Sequence, residues 1–165
     1  HLGKKLSLDA VMDIINNEVI TQKGNIENYL TGILARVKNN EIEFVNAGHP
    51  NALYFDAKEK TLTAIPRGDD DECGVIGISE FPVNFQTVKY KINKGDSIIL
   101  YTDGIIETMN RNREEFGLER FKKTFIKNAD LNIKEQLDNI VDDARTFANR
   151  AKSTDDITLL ILRKK

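Results

Sequence analysis

The chain has 165 residues, a length that suits one domain able to bury about two-thirds of its unfolded surface. Apolar residues make up 40% and charged residues 30%, as in ordinary globular proteins. With 24 basic and 26 acidic side chains, the net charge of −2 provides no broad cationic surface for nucleic acid or an anionic membrane. The one cysteine, Cys73, cannot form an intramolecular disulfide, and no Cys/His spacing typical of zinc sites occurs. A reducing, cytoplasmic setting is therefore expected.

The first third of the chain predicts one helix and then strands. Apolar residues recur at three- and four-residue spacing from Leu8 to Val19, behind Ser7 as a candidate N-cap. Two pairs of β-rich segments follow, each joined by a short polar turn, and we interpret them as a meander of antiparallel strands. These strands are predicted at Tyr29–Val37, Glu41–Asn46, Ala52–Phe55 and Thr61–Ile65.

An acidic run follows the meander and predicts a solvated loop. Asp69 to Glu72 are four consecutive acids within Pro66–Cys73. These carboxylates could bind cations. One hypothesis is therefore a calcium-binding β-domain with all its ligands on this loop. Neighbouring carboxylates in such a segment lack the preorganisation that hard cations need, so a solvated loop is favoured.

The second half predicts a buried strand, helices and a closing strand. Lys94-Gly95-Asp96 is a turn signal, and Ser97–Tyr101 is a nearly continuous apolar run, typical of a strand covered on both faces. Asp156–Arg163 is predicted as a second central strand that pairs with the first. The other predicted elements are a strand at Val83–Ile92, a short helix at Ile105–Met109, a helix carrying Leu118, Phe121 and Phe125, and a helix capped by Asn132 with an apolar stripe from Ile133 to Phe147. Strands and helices form separate blocks, which favours the α+β class.

Two acidic motifs directly adjoin the two predicted central strands. Asp103-Gly104 ends the first strand, and Asp155-Asp156 precedes the second. Each motif alone is typical of a turn. If the strands are neighbours, the carboxylates would lie within a few ångströms, and a shared divalent cation would relieve their repulsion.

Asn46-Ala47-Gly48-His49-Pro50 is a third candidate, at the end of a meander strand. His49 could be a ligand, a proton donor or a hydrogen-bonding turn residue, and the last is favoured because the neighbouring residues already explain a turn. Only His1 and His49 could serve a serine or cysteine nucleophile, and neither has the surroundings of a triad. Gly74-Val75-Ile76-Gly77 lacks the Lys and Ser/Thr of a phosphate-binding loop.

The order of these segments resembles the stage II sporulation E (SpoIIE) branch of the PPM metal-dependent protein phosphatases. The resemblance covers nearly the whole chain, and several spaced motifs in order make it specific. It rests on Asn46-Ala47-Gly48-His49-Pro50, Gly77, Lys94-Gly95-Asp96, Leu100-Tyr101-Thr102-Asp103-Gly104, Ile106-Glu107, Glu115-Phe116-Gly117 and Asp155-Asp156-Ile157-Thr158-Leu159.

The resemblance implies a fold and a metal site. The fold would be a sandwich of two antiparallel β-sheets with helices outside, incomplete at its N-terminal end, holding two Mn²⁺ or Mg²⁺ ions at one end. Asp103 and Asp155 match metal-binding aspartates, Gly104 matches the glycine beside the site, and Asp156 ranks below them. For His49 and, beside it, Asn46, the resemblance implies indirect contact with the metals through water or through the ligands.

The resemblance also implies the chemistry and the partners. Metal-activated water would hydrolyse phosphoserine or phosphothreonine on a regulatory protein, such as an anti-sigma factor antagonist. An upstream sensory or receiver domain in the same polypeptide is implied, a homodimer is conceivable, and the helix before the meander could be a regulatory surface. The family's acidic Gly-Asp and Asp-x-Ser-Gly-His-Gly motifs do not occur in this chain. We therefore expect a truncated domain with negligible activity alone.

A different class of function stays open from the sequence. The chain could be a non-catalytic interaction or dimerisation module that keeps the fold without the metal site. Family acids in the upstream sequence would favour the enzyme, and their replacement would favour the module.

Overall fold

The computed structural model describes residues 6–24, 27–66, 74–78, 83–149 and 156–165. The chain divides into two compact units, the first formed by residues 1–51 and 66–92 and the second by residues 52–65 and 93–165. In chain order the elements are α1 (Leu8–Lys23), β1 (Gly32–Lys38), β2 (Glu41–Ala47), β3 (Leu53–Asp56), β4 (Thr61–Ala64), β5 (Val88–Lys91), β6 (Ser97–Tyr101), a 3₁₀ turn (Asp103–Ile105), α2 (Gly117–Lys127), α3 (Ile133–Ala148) and β7 (Leu159–Arg163).

The first unit is a three-stranded antiparallel sheet with α1 packed against it. The strand order is β1-β2-β5, and β1 and β2 are joined by a tight turn at residues 39–40. Leu8 and Met12 of α1 are buried against Val45 of β2, whereas Ile15, predicted in the same apolar stripe, is 37% exposed. Ser7 is the N-cap residue, as predicted, although its side chain makes no capping hydrogen bond.

The second unit is a four-stranded antiparallel sheet on which α2 and α3 pack. The strand order is β4-β3-β6-β7, so β6 has a partner on both sides. Phe55 and Phe125 meet edge to face in its core, with ring centroids 5.3 Å apart. Burial of each such ring contributes roughly 1.5 to 3 kcal/mol. The buried core comprises Leu53, Phe55, Leu62, Ile99, Tyr101, Ile105, Phe116, Phe121, Phe125, Ala129, Ile140, Ala144 and Ile161.

The start of β6 is fixed by the buried carboxylate of Asp96. The Tyr54 hydroxyl donates to one Asp96 oxygen at 2.6 Å, and the backbone N–H groups of Asn93 and Ala57 donate at 2.7 and 3.0 Å. Burial acts to raise the pKa of Asp96, but these donors outweigh it, and the pKa lies below its ordinary value. The carboxylate therefore ties the turn before β6 to β3.

The predicted class is confirmed, because the described residues form two antiparallel sheets together with three α-helices. The helices carrying Phe121 and Ile140 form as predicted, and the Asn132 side chain caps α3 by accepting from the backbone N–H of Glu135 at 3.0 Å. In the described residues, no helix has the length and apolar character to cross a membrane.

Four sequence predictions need correction. The two hairpins do not form one meander, because β2 and β3 belong to different sheets. The strand expected at Val83–Ile92 is limited to β5, since only its last part pairs with β2. The short helix expected at Ile105–Met109 is a 3₁₀ turn that starts two residues earlier. These three predictions rest on hydrophobic periodicity, which does not indicate which strands pair or where a short turn begins.

The fourth correction concerns β7, which pairs with β6 as predicted but is not central. It is the last strand of the described sheet, and Leu160 and Leu162 on one of its faces are 48% and 37% exposed. Apolar residues on both faces are typical of a strand covered on both faces, but such a strand need not have neighbouring strands on both sides. Apolar alternation reports the faces of a strand and says nothing about its edges.

Candidate functional site

Asp103 lies at the end of β6, in the first position of the 3₁₀ turn. The turn is held from within, because the backbone N–H of Glu107 donates to the Asp103 carbonyl at 2.9 Å and the Thr108 hydroxyl donates to the Gly104 carbonyl at 2.8 Å. Gly104 and Ile105 are buried, whereas Asp103 is exposed. Its carboxylate accepts no hydrogen bond from any residue in the described ranges. Among the described residues, Asp103 therefore presents carboxylate oxygens without hydrogen-bond donors, on a backbone that the turn holds in place.

Thr102 joins this turn to the residues before β7. Its backbone N–H donates to the Thr158 carbonyl at 3.0 Å, and its hydroxyl accepts from the Thr158 N–H at 2.9 Å and donates to the Asp156 carbonyl at 3.1 Å. These bonds continue the β6–β7 register, in which Tyr101 faces Leu159. The predicted adjacency of the two strands is thus confirmed.

The other predicted metal-site residues are located only in part. Asp155, the second predicted ligand, lies outside the described residues. Asp156 is exposed, and its backbone carbonyl contacts Thr102. Gly104 contributes its carbonyl to the turn through Thr108. Their ligand roles stay predictions.

The Asn46–Pro50 segment forms a turn in the first unit. Asn46 is buried, and its amide accepts from the His49 N–H at 2.9 Å and donates to the His49 carbonyl at 3.0 Å. Gly48 has φ of +70°, and a Cβ there would lie 2.5 Å from a methyl of Val75. The His49 ring contacts the Thr31 hydroxyl at 3.4 Å. The Asn46 amide thus closes the turn. Indirect contact of His49 and Asn46 with a metal stays a prediction.

The donors near Asp103 suit a hard cation. Mg²⁺ and Mn²⁺ prefer oxygen ligands, and Asp103 provides an exposed carboxylate without competing donors in the described part of the chain. Across those same residues, no group of three His, Cys, Asp or Glu side chains is placed to hold a metal ion. Asp103 therefore fits one position of a metal site and does not complete it. The acidic run Asp69–Glu72 and Cys73 lie outside the described residues.

Sequence reasoning missed Thr102 and Asp96. The partners of the Thr102 hydroxyl lie 54 and 56 residues later in the chain, and no local pattern indicates them. Asp96 was read as a turn residue, and nothing in the sequence indicated its Tyr54 partner, which lies 42 residues earlier.

The fold is that of PP2C-type phosphatase domains. The SiaA-PP2C domain of Pseudomonas aeruginosa superimposes with a TM-score of 0.80 at 17% identity, over 95% of this chain and 61% of that chain. The SpoIIE phosphatase domain of Bacillus subtilis (Mn presoaked) superimposes with a TM-score of 0.62 at 15% identity, over 99% and 76%. At such identities the likeness establishes the fold alone.

The sequence identifies the family within that fold. The Stage II sporulation protein E (SpoIIE) family matches residues 2–165, so this chain belongs to the SpoIIE family. The phosphoserine phosphatase RsbU of Bacillus subtilis (strain 168) is 27% identical over 154 residues, which are 90% of this chain and 43% of RsbU. Protein IcfG of Synechocystis sp. is 24% identical over 167 residues, covering 96% of this chain and 25% of IcfG. The chain thus spans less than half the length of these curated relatives.

Proposed function

We propose that this chain is part of a metal-dependent phosphatase domain that hydrolyses phosphoserine or phosphothreonine on a regulatory protein. The observation that carries the proposal is the exposed Asp103 carboxylate, held beside residues 156–158 by Thr102. Membership of the SpoIIE family and likeness to the phosphoserine phosphatase RsbU support the same conclusion.

Each group at this end of β6 has a distinct task in the proposal. Asp103 is a metal ligand, together with Asp155, and Asp156 is a further candidate ligand. Thr102 holds the Asp103 backbone against that of Asp156, so the ligands need little reorganisation to bind. A divalent cation, when bound, supplies an activated water and positive charge for the phosphate oxygens. No side chain of this chain then has to act as a nucleophile.

The substrate and the cellular setting are also proposals. RsbU is named a phosphoserine phosphatase, and a structure containing the RsbU and RsbW domains of Rv1364c from Mycobacterium tuberculosis shares this fold with a TM-score of 0.69. By analogy we propose an anti-sigma factor antagonist as substrate, a sensory or receiver domain in the same polypeptide, and a cytoplasmic location.

Manganese-dependent release of phosphate from a phosphoserine protein tests the proposal. The full-length polypeptide that carries this chain should release phosphate with Mn²⁺, and Asp103→Asn should reduce the rate at least about 100-fold. Asp130→Asn is the matched control, because Asp130 is an exposed carboxylate in the loop between α2 and α3, where it is ion-paired with Lys60.

The same assay addresses the alternative function. The described residues contain no group of three His, Cys, Asp or Glu side chains placed to hold a metal ion, which is compatible with a non-catalytic interaction module. Metal-independent or absent turnover in the full-length polypeptide would favour that module. Assaying the 165-residue chain in parallel tests the expectation that it has negligible activity alone.

A further inference from the structure

A short hairpin, residues 106–117, projects from the turn that carries Asp103. At its base the N–H of Phe116 donates to the Thr108 carbonyl at 2.8 Å, and the Thr108 hydroxyl donates to the Gly104 carbonyl at 2.8 Å. The position of the hairpin is therefore fixed relative to Asp103. Side chains at the tip of the hairpin are therefore held at a defined position relative to Asp103.

The tip of this hairpin has an unusual residue for its backbone conformation. The Asn110 side chain accepts from the N–H groups of Asn112 and Glu114 at 2.9 and 3.0 Å, and the N–H of Arg113 donates to the Asn110 carbonyl at 3.1 Å. The turn gives Arg113 a φ of +63°. Glycine or asparagine adopts this conformation at a lower conformational free energy than arginine does. Arginine at this position therefore destabilises the turn relative to either residue.

A second hairpin in the same unit also has a basic residue with positive φ, and this residue has a structural partner. Lys60, in the β3–β4 turn, has a φ of +53°, and its ammonium forms an ion pair with Asp130. The Arg113 side chain is exposed and makes no hydrogen bond or ion pair with the described residues. A structural partner accounts for Lys60, whereas none of the described residues accounts for Arg113. Residues held in an unfavourable backbone conformation without a structural reason point to function.

The surroundings of Arg113 hold the tip in place and leave its guanidinium accessible. Arg111 is anchored, because its Nε donates to the carbonyl of Asn149 at the end of α3, at 3.1 Å. The Glu114 carboxylate accepts from the Asn110 amide at 2.7 Å, which draws it back along the hairpin. A rigid tip loses little entropy when its side chain binds a partner.

The geometry points to a role for Arg113 beyond the reacting phosphate. Arg113 is three residues from Phe116 at the base of the hairpin, so the backbone can carry it at most about 10 Å beyond that base. We propose that Arg113 is a specificity-determining residue that binds acidic side chains flanking the phosphoserine of the protein substrate. Guanidinium pairs well with carboxylates in this exposed setting. This inference rests on the proposed phosphatase function.

Steady-state kinetics of the full-length polypeptide with Mn²⁺ test the inference. Three substrates are compared: p-nitrophenyl phosphate, a phosphoserine peptide with acidic flanks and the same peptide with neutral flanks. Arg113→Asn removes the charge but tolerates the backbone conformation, and it should raise KM about fivefold for the acidic peptide alone. Its kcat and its hydrolysis of p-nitrophenyl phosphate should stay unchanged, and Arg113→Lys should restore most of the loss.

Lys60→Asn is the matched control, since it removes a cation from the same backbone conformation in the other hairpin. It should leave all three KM values unchanged. Normal hydrolysis combined with an unchanged KM for Arg113→Asn, or an equal rise for both peptides, would overturn the inference and leave the proposed function standing. Absence of hydrolysis of every substrate by the unsubstituted polypeptide would overturn both.

Discussion

The two ends of β6 each carry an aspartate, and their surroundings differ. Asp96, before the strand, is 3% exposed and receives hydrogen bonds from Tyr54, Asn93 and Ala57. Asp103, after the strand, is exposed, and its carboxylate receives none from the described residues. Of two aspartates at the ends of one strand, one is thus hydrogen-bonded within the protein and the other has no donor among the described residues.

The difference separates a carboxylate whose oxygens are bonded to protein donors from one whose oxygens have no donor among the described residues. A buried carboxylate whose acceptor sites are filled by protein donors stabilises the fold and has little capacity left for a ligand. An exposed carboxylate on a fixed backbone contributes little to stability and keeps its oxygens for a cation. Substitutions at the two ends should therefore affect different properties.

Asp96→Asn should give the largest change in stability. The asparagine amide would face donors that now bond to carboxylate, so we expect the free energy of unfolding to fall by about 2 kcal/mol. Denaturant titration followed by circular dichroism measures this change. A stability equal to that of the unsubstituted protein would mean that Asp96 is not a structural carboxylate.

The Asp96 contribution should depend on pH. Its pKa is lowered in the folded protein, so the stabilisation is complete above the unfolded value of about 3.9 and is lost as the pH falls through the folded value. The difference in unfolding free energy between the unsubstituted protein and Asp96→Asn should thus be constant from pH 7 to about 5 and shrink below about pH 4. A difference that grows on acidification would contradict this assignment.

Thr102→Val should have an intermediate effect, at the other end of β6. It removes both hydrogen bonds of the hydroxyl to residues 156–158 but keeps the β-branched shape, and we expect a loss of about 1 kcal/mol. Phosphate release by the full-length polypeptide should also fall, because Asp103 is less firmly held. A loss of stability with full activity would show that this link is structural only.

Asp103→Asn should have the smallest effect on stability, within about 0.5 kcal/mol, since the carboxylate is exposed and unbonded among the described residues. Thermal unfolding without added metal measures it. A large destabilisation would remove the contrast with Asp96.

The sequence predicted the elements better than their arrangement. The β6–β7 pair was predicted because both segments are apolar on both faces, and α3 was predicted from its stripe and its Asn132 cap. The division of the two hairpins between two sheets was not predictable, because each strand pattern is compatible with several partners.

The position of Asp103 directly after a strand was predictable, while its role as a ligand stays a prediction. Asp103 stands out in sequence because a buried run leads directly to an Asp-Gly pair. The Asp96–Tyr54 hydrogen bond depends on a tertiary contact, and the hydrogen bonds of the Asn46 side chain to the His49 backbone depend on turn geometry. Hydrophobic periodicity does not indicate side-chain partners of either kind. The family resemblance supplied the metal chemistry, which the pattern of residues alone left open.

Manganese binding tests the central claim most directly. Isothermal titration of Mn²⁺ into the full-length polypeptide should give saturable binding that Asp103→Asn weakens about 100-fold or more, while Asp96→Asn, assayed below its unfolding transition, binds as the unsubstituted protein does. Equal manganese affinity in the unsubstituted protein and Asp103→Asn would contradict the assignment of Asp103 as a metal ligand.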